Sequence, residues 1–219
     1  MTLPGDQHHY LRPVLPSDLG LIAEMELRPE VALKWRFSGE TPDPRRYVQG
    51  LFAGVLEEHL VIDRTTSEAV GLVIAYNANL RSRHCYLGVL AHPDHDGSGA
   101  ALAGAALAVH RLFTHWDLRV VYAETLAYNY DEFRSGEGTI FEVEAVLADH
   151  FYAGDRYWDQ YLLAIHRDRW DDGIGRLVAR RLIRTTDPSL FMTATSGGPG
   201  ATSPTDTFEP VVIGRSTNS

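Results

Sequence analysis

Three consecutive apolar runs, followed by a glycine-containing loop and a long helix, constrain this fold more than any other feature of the sequence. The runs occupy residues 59–63, 69–76 and 84–91. Apolar runs that are separated by short polar segments are typical of consecutive antiparallel strands. The third run leads through a polar loop into a predicted helix at 99–115, and residues 119–127 predict the next strand. The sequence therefore predicts hairpins with one strand–helix–strand crossover among them.

The other predicted elements complete an α/β chain. They are, in order, a strand at 10–14, a helix capped by Ser17 and Asp18, a helix after Pro44, an irregular helical region after Asn129, and strands at 144–152 and 156–166 joined by a hairpin turn at 153–155. Apolar residues recur at helical spacing in both early helices, so each should pack one face on the sheet. The predicted order is β-α-α-β-β-β-α-β-α-β-β, an α/β (α+β) fold whose mixed, mostly antiparallel central sheet is flanked by helices.

The composition changes once along the chain. Residues 193–207 are dominated by Thr, Ser, Gly and Pro, which cannot bury enough apolar surface to order themselves. We predict an N-terminal extension at 1–9, one domain at 10–190 and a flexible C-terminal tail at 191–219. One full-sized domain with appendages suits a chain of 219 residues.

Composition and charge narrow the functional classes. Apolar residues make up 44% and charged residues 22%, as in globular proteins. The longest nearly apolar run, 100–109, is far shorter than the roughly 20 residues that span a bilayer, and the N terminus lacks a secretory pattern. We therefore expect a cytoplasmic protein with no membrane partner. The net charge of −9 argues against a nucleic-acid partner and favours cationic ones.

The single cysteine, Cys85, excludes an internal disulfide and agrees with a reducing compartment. We interpret it as a small buried apolar residue. The basic residues are nearly all arginine, a bias that we attribute to a GC-rich bacterial genome.

The loop before the predicted helix at 99–115 is the most informative candidate binding site. Its sequence from His92 is His-Pro-Asp-His-Asp-Gly-Ser-Gly, so glycines stand at 97 and 99, where the helix begins. The free N–H groups of a first helical turn, together with the helix dipole, favour an anion such as a pyrophosphate. A Gly-x-Gly before a helix is by itself also compatible with a plain helix start that binds nothing.

The predicted strand order, the Pro-x-x-x-Gly-x-Gly loop, the helix after it and the next strand ending near Asn129 resemble the GNAT superfamily of acyl-CoA-dependent N-acyltransferases. Residues 141–147 and 156–164 further resemble the branch that contains the RimJ and RimL protein N-terminal acetyltransferases. The resemblance covers about residues 10–169. It implies a GNAT-like sheet, acetyl-CoA or another acyl-CoA as cosubstrate without a metal, and acetyl transfer to an amine of a small molecule, peptide or protein N-terminus.

The resemblance also implies which residues hold the cofactor. In that family the strand before the loop separates from the strand that ends near Asn129, and the pantetheine arm lies in the opening. Gly88, Val89 and Leu90 would offer backbone groups to the pantetheine and acyl carbonyl, and Asn129 would contact the cofactor arm. The pyrophosphate would lie on Gly97, Ser98, Gly99, Ala100 and Ala101. Val89 and Leu90 are equally good core residues, and asparagine is common at strand ends.

The loop departs from the family pattern by two carboxylates. The family usually carries Gln or Arg at the position of Asp94 and often another basic residue near His95 or Asp96. Each carboxylate near the pyrophosphate would oppose binding by ~1 kcal/mol or more at an effective dielectric constant of about 20. Protonated His92 or His95, or Arg134, would offset part of this repulsion.

Acyl transfer to an amine needs a neutral amine, a polarised thioester carbonyl and a proton for the leaving thiolate. Glu124 lies in an apolar strand, where a carboxylate must find a partner or a cleft, so it is the candidate base. A structural ion pair with an arginine is at least as compatible with this position. Tyr130 and Tyr128 are candidate proton donors to the thiolate, with aromatic packing as the alternative.

The acidic loop has two other interpretations. Histidine and aspartate in segment 92–96 are ordinary zinc or iron ligands, but no matching distant ligand is evident, so we predict no metal site. The acidic loop leaves open a catalytically degenerate binding or interaction module of the same fold, with weak or no CoA affinity. We expect an amine-bearing acceptor, with a cationic one favoured, and leave a homodimer open.

Overall fold

A computed structural model of the chain describes residues 8–32, 35–36 and 39–177, which are organised around a seven-stranded sheet. The strands are β1 (His9–Pro13), β2 (Val55–Asp63), β3 (Ala69–Asn79), β4 (His84–Ala91), β5 (Val120–Leu126), β6 (Glu142–Ala153) and β7 (Arg156–His166). Their order in the sheet is β1-β2-β3-β4-β5-β7-β6. All neighbours are antiparallel except β4 and β5, which are parallel. The predicted mixed, mostly antiparallel sheet is confirmed.

Helices cover both faces of this sheet. They are α1 (Leu19–Glu26), α2 (Pro29–Ala32), α3 (Pro44–Leu51), α4 (Ala100–His115), α5 (Ala127–Phe133) and α6 (Arg167–Asp172). Adjacent strand residues point to opposite faces. Leu60 therefore packs with Ile22 and Leu51 of the early helices, whereas Val61 packs with Leu112 of α4 and Trp170 of α6. No helix among these described residues is long and apolar enough to cross a bilayer.

Helix α4 is held tightly against the sheet. A β-carbon at Gly104 would stand 2.4 Å from Cγ2 of Val61, so only glycine allows this approach. At the other end, the guanidinium of Arg167 donates to the carbonyl oxygens of Phe113, Trp116 and Leu118. Both contacts fix the direction of α4 and therefore the position of its N-terminus.

The pairing between β4 and β5 is short. It joins His84 to Val120, Cys85 to Val121 and Tyr86 to Tyr122. Beyond that point β4 continues alongside β3 to Ala91, and β5 continues alongside β7 to Leu126. The two strands therefore separate and leave an opening in the middle of the sheet, between residues 87–91 and 123–126.

The boundaries differ from the prediction at several places. Strand β5 ends at Leu126, one residue before the predicted end at 127, and α5 begins directly, so the helical region predicted after Asn129 starts before that residue and contains it. Asp18 precedes α1 as expected, but its carboxylate accepts from the guanidinium of Arg12 and the amide of Leu15 instead of capping the helix. The short helices α2 and α6 were not predicted, because neither carries enough residues to show a period.

Three other expectations concern Cys85, the hairpin turn and the C-terminal tail. Cys85 is 0% exposed, which confirms its interpretation as a buried residue. The turn between β6 and β7 is also confirmed, and Gly154 and Asp155 both have positive φ there, as a two-residue turn of type I′ requires. The predicted tail at 191–219 lies outside the described residues.

Candidate active site

The opening between β4 and β5 contains the predicted segment 88–90. The side chain of Val89 packs with the core under α4, and that of Leu90 packs with the core under α1 and α3. Within residues 39–177, no strand pairs with the edge of this segment that faces β5. The backbone is therefore available to a ligand although the side chains serve the core.

Gly88 is the position where a side chain is least tolerated in the opening. A β-carbon there would stand 2.9 Å from Cγ2 of Ile74 and 3.0 Å from Cη2 of Trp35. The indole of Trp35 thus lies directly on the bare backbone of β4. It forms a wall of the opening on the side of α1–α3.

The glycine loop, residues 92–99, leads into α4 and brings the predicted residues Gly97 to Ala101 together at the start of that helix. Gly97 and Gly99 have φ values of +71° and +82°, which favour glycine over any residue with a side chain. The Ser98 hydroxyl accepts from the amide of Ala100 at 3.2 Å. The next amides of the first turn have no partner within a helix, so they can donate to an anion.

One of the two acidic side chains of this loop accepts a hydrogen bond within the loop. Asp94 and Asp96 are both exposed. The Oδ1 atom of Asp96 accepts from the amide of Gly97 at 3.1 Å, and Nδ1 of His92 accepts from the amide of Asp94 at 3.3 Å. Arg134 pairs with Asp131 at 3.7 Å. The described part of the chain holds no group of three His, Cys, Asp or Glu side chains that could bind a metal ion.

Glu124 lies on β5 two residues beyond Tyr122, on the same face of the sheet. Its side chain is accessible, yet partial burial raises the pKa of its carboxyl, an effect that His150 opposes. Among the residues described, no arginine lies within ion-pair distance of Glu124. Its charge also contributes, after burial, to raising the pKa of Tyr76 to about 12, so the two side chains face the same space.

Tyr130 and Tyr128 have different surroundings. Tyr130 is only 6% exposed, its hydroxyl donates to Glu137 at 2.6 Å, and its ring stacks on Tyr161 with 4.3 Å between centroids. The hydrogen bond to Glu137 is the main cause that raises the pKa of Tyr130 to about 12. Tyr128 is 39% exposed and contacts the ring of Trp158 edge-on at 4.7 Å.

A buried charge network beside Gly88 was not predicted from the sequence. Glu26, 1% exposed, accepts hydrogen bonds from Nε1 of Trp35 at 2.6 Å, Nε of Arg36 at 2.6 Å and the Tyr47 hydroxyl at 3.1 Å. The guanidinium of Arg36 also donates to Glu58 and to the carbonyl of Leu51. The network thus fixes the indole that covers Gly88.

Glu58 is the exceptional member of that network. Glu58 pairs with Ile74 of β3, and Ile74 pairs with Gly88 of β4, so the three residues lie in one row across the sheet. Its Oε2 atom is buried and has no hydrogen-bond partner among the described residues. Burial raises the pKa of Glu58 to about 7, with Arg36 opposing and Glu26 adding to the shift. A sequence signal existed, since a carboxylate precedes an apolar run, but the predicted strand began one residue later.

The family comparison matches residues 9–137 to the acetyltransferase (GNAT) domain. One similar solved structure is spermidine N-acetyltransferase from Vibrio cholerae in complex with CoA and spermine, with TM-score 0.67 and 20% identity over 75% of this chain and 99% of that chain. A chimera of that enzyme with hSSAT gives TM-score 0.64 and 21% identity over 75% and 99%. At this identity the likeness shows the fold. A comparison with curated proteins finds no match.

The matched region begins in β1, includes the opening and the glycine loop, and ends after α5, so it contains every element that forms the candidate site. It also covers more than half of the sequence. This chain belongs to the GNAT acetyltransferase domain family.

Proposed function

We propose that this protein is an acyl-CoA-dependent N-acyltransferase that moves an acetyl group from acetyl-CoA to an amine. The observation that carries the proposal is the opening between β4 and β5, with its unpaired backbone edge, directly before the glycine loop and α4. A long, narrow cofactor with an anionic end fits these two features together. The arm would lie along Gly88, Val89 and Leu90, and the pyrophosphate on the residues from Gly97 to Ala101.

The reaction forms a bond between the amine nitrogen and the acyl carbon and breaks the carbon–sulfur bond. The amine must lose a proton, and Glu124 is the proposed base, directly or through water. Its raised pKa moves it towards the range in which a carboxylate accepts protons effectively at neutral pH. Amide donors of β4 would stabilise charge on the acyl oxygen.

The leaving sulfur needs a proton, and Tyr130 is the proposed donor. Its raised pKa keeps the hydroxyl protonated at neutral pH, which a proton donor requires. Glu137 accepts the hydrogen bond of that hydroxyl at 2.6 Å and holds it in place. The hydroxyl would turn towards the sulfur to donate its proton, and solvent would restore that proton afterwards. Asn129 is proposed to contact the cofactor arm from the first turn of α5.

The acceptor is proposed to be a cationic amine. The net charge of −9 favours such a molecule, and spermine is bound in one of the similar solved structures. A place in the RimJ and RimL branch, a bacterial origin, a cytoplasmic location and the domain limits 10–190 belong to the same proposal.

Calorimetric titration with acetyl-CoA tests the cofactor site. Gly99→Leu should abolish binding, because a side chain at the start of α4 blocks the pyrophosphate. Gly154→Leu is the control, since Gly154 shares the positive φ but lies in the hairpin between β6 and β7. Equal binding by both variants, each folded by circular dichroism, would contradict the assignment of this site.

The exposed carboxylates of the glycine loop favour a second candidate, a non-catalytic binding module. Neutralising them as Asp94→Asn and Asp96→Asn should tighten acetyl-CoA binding by several-fold if only repulsion is removed. Wild-type protein that binds neither acetyl-CoA nor CoA at millimolar concentration would favour the module over the enzyme.

A further inference from the structure

Three tyrosine rings form a continuous row across the middle of the sheet. Tyr76 of β3 pairs with Tyr86 of β4, and Tyr86 pairs with Tyr122 of β5, so all three lie on one face. Their ring centroids are 5.7 and 5.4 Å apart. This tyrosine row, Tyr76–Tyr86–Tyr122, ends the pairing of β4 with β5 and therefore stands at the base of the opening.

The rings are only partly buried. The His84 ring contacts Tyr86 and Tyr122 edge-on, with centroids 6.3 and 5.7 Å apart, and two acidic groups border the row. Glu124 follows Tyr122 on the same face, and Glu144 accepts from the Tyr122 hydroxyl at 3.4 Å. The close cation–π contacts found among the described residues join Arg64 to Tyr10, Arg156 to Trp158 and Arg167 to Phe113. None of these arginines covers the row.

Electron-rich ring faces attract cations, whereas a neutral apolar group of the same size gains only its burial. The nitrogen that is acylated must be neutral to attack the thioester. A cation on the row is therefore a second charge of the acceptor. Tyr86 and Gly88 are two residues apart on β4, which separates the row from the reacting centre by about 7 Å.

We infer that the tyrosine row is a subsite for an ammonium group of the acceptor, about 7 Å from the nitrogen that is acylated. The inference rests on the proposed function, because it names the class of acceptor: amines that carry a second, fixed positive charge. Glu124 and Glu144 add attraction at longer range, and the rings provide the contact.

The test compares two acceptors of equal shape. They are (5-aminopentyl)trimethylammonium and its neutral isostere 6,6-dimethylheptan-1-amine, in which carbon replaces the quaternary nitrogen. In the wild type, kcat/KM should favour the cation by roughly five- to thirtyfold. Tyr86→Leu removes the central ring and should reduce this preference at least about threefold, and the carboxylates and the other two rings should supply what remains. Tyr86→Phe should keep it, because phenylalanine retains the ring face, and Tyr157→Leu, on the exposed hairpin strand β7, should leave it unchanged.

A second measurement does not depend on catalysis. The methyl protons of tetramethylammonium should broaden in NMR spectra when wild-type protein is added, and Tyr86→Leu should remove the broadening. If acetyl-CoA does not bind but this broadening is seen, the proposed function fails and the cation site stands. If both acceptors react equally well and no broadening occurs, the cation site is overturned while the acyltransferase stands. Should Tyr86→Leu not fold, Tyr76→Leu takes its place in both measurements.

Discussion

Trp35 and Gly88 show how single residues shape the opening. Glycine at position 88 lets the indole rest on the backbone of β4, and Glu26 fixes that indole through its ring nitrogen. The carboxylate of Glu26 is satisfied by three donors, whereas Glu58 keeps one oxygen without a partner among the residues described. The two acids therefore differ in role, and burial raises the pKa of Glu58 to about 7.

The pH dependence of stability should identify Glu58. Its folded pKa, about 7, lies above the ordinary value of 4.5, so between these values the folded state binds more protons than the unfolded chain. The free energy of unfolding should therefore fall as pH rises through this window, by up to about 3 kcal/mol. The difference in the free energy of unfolding between the wild type and Glu58→Gln, measured by urea titration, should decrease as the pH rises through this window. Parallel curves for the two proteins would contradict it, and Glu68→Gln, on an exposed turn, is the control.

Glu124→Gln tests the proposed base. Glutamine keeps the shape but cannot accept the proton, so kcat should fall roughly a hundredfold. The melting temperature and the affinity for acetyl-CoA should stay within error, because no arginine in the described structure depends on this carboxylate. Because the folded pKa is raised, the loss of activity towards acid pH should begin at a higher pH than an ordinary glutamate would give. Acceptor amines with different pKa values distinguish the loss of activity caused by protonation of Glu124 from the loss caused by protonation of the acceptor. If the variant keeps full turnover, Glu124 is not the base, and solvent deprotonates the acceptor amine.

At the scale of elements, α4 depends on one residue from another part of the chain. Arg167 begins α6 and donates to three carbonyl oxygens at and beyond the C-terminus of α4, one of them, that of Phe113, at 2.6 Å. A helix end leaves carbonyl groups unsatisfied, and its dipole favours a cation there. The residue that holds one end of α4 thereby keeps the glycine loop at the other end in place.

Replacing this cap should destabilise the fold. Arg167→Met keeps the apolar stem but removes the donors, and we expect a loss of about 2–4 kcal/mol in urea unfolding. Arg176→Met removes an exposed ion pair with Asp172 and one exposed hydrogen bond to the carbonyl oxygen of Asp171, and should cost less than about 1 kcal/mol. Similar losses in the two variants would show that the three carbonyl contacts contribute little.

The sequence predicted the helices and strands better than it predicted which residues of different elements contact each other. The strand runs, α4 and the glycines at 97 and 99 follow from local pattern, because strand alternation and helix starts are local properties. Tyr76, Tyr86 and Tyr122 become neighbours only through the register of three strands, which no local pattern determines. Trp35 reaches Gly88 through tertiary packing alone. The helical region predicted after Asn129 begins at Ala127, because α5 follows β5 without a turn.

At the scale of the whole molecule, the chain has a net charge of −9, and the candidate site itself carries carboxylates. A field of one sign raises the local concentration of oppositely charged molecules, and salt screens it. The charge should therefore act on how fast a cationic acceptor arrives more than on the chemical step.

Ionic strength should separate these two steps. Between about 0.02 M and about 0.3 M NaCl the screening length falls from roughly 20 Å to about 6 Å. We expect kcat/KM for (5-aminopentyl)trimethylammonium to fall about three- to tenfold over this range, with kcat nearly constant. The neutral isostere, with one charge less, should show the smaller change. Equal changes for both acceptors would assign the salt effect to the cofactor or the fold.

Because Cys85 is buried, the protein should not react with reagents that detect thiols. Its side chain is 0% exposed, and burial raises the pKa of the thiol to about 12, so the reactive thiolate is absent at neutral pH. A colorimetric reagent for free thiols would therefore report released CoA without a background from the protein. A cysteine placed on the surface would, for the same reason, be the single labelling position for a fluorophore.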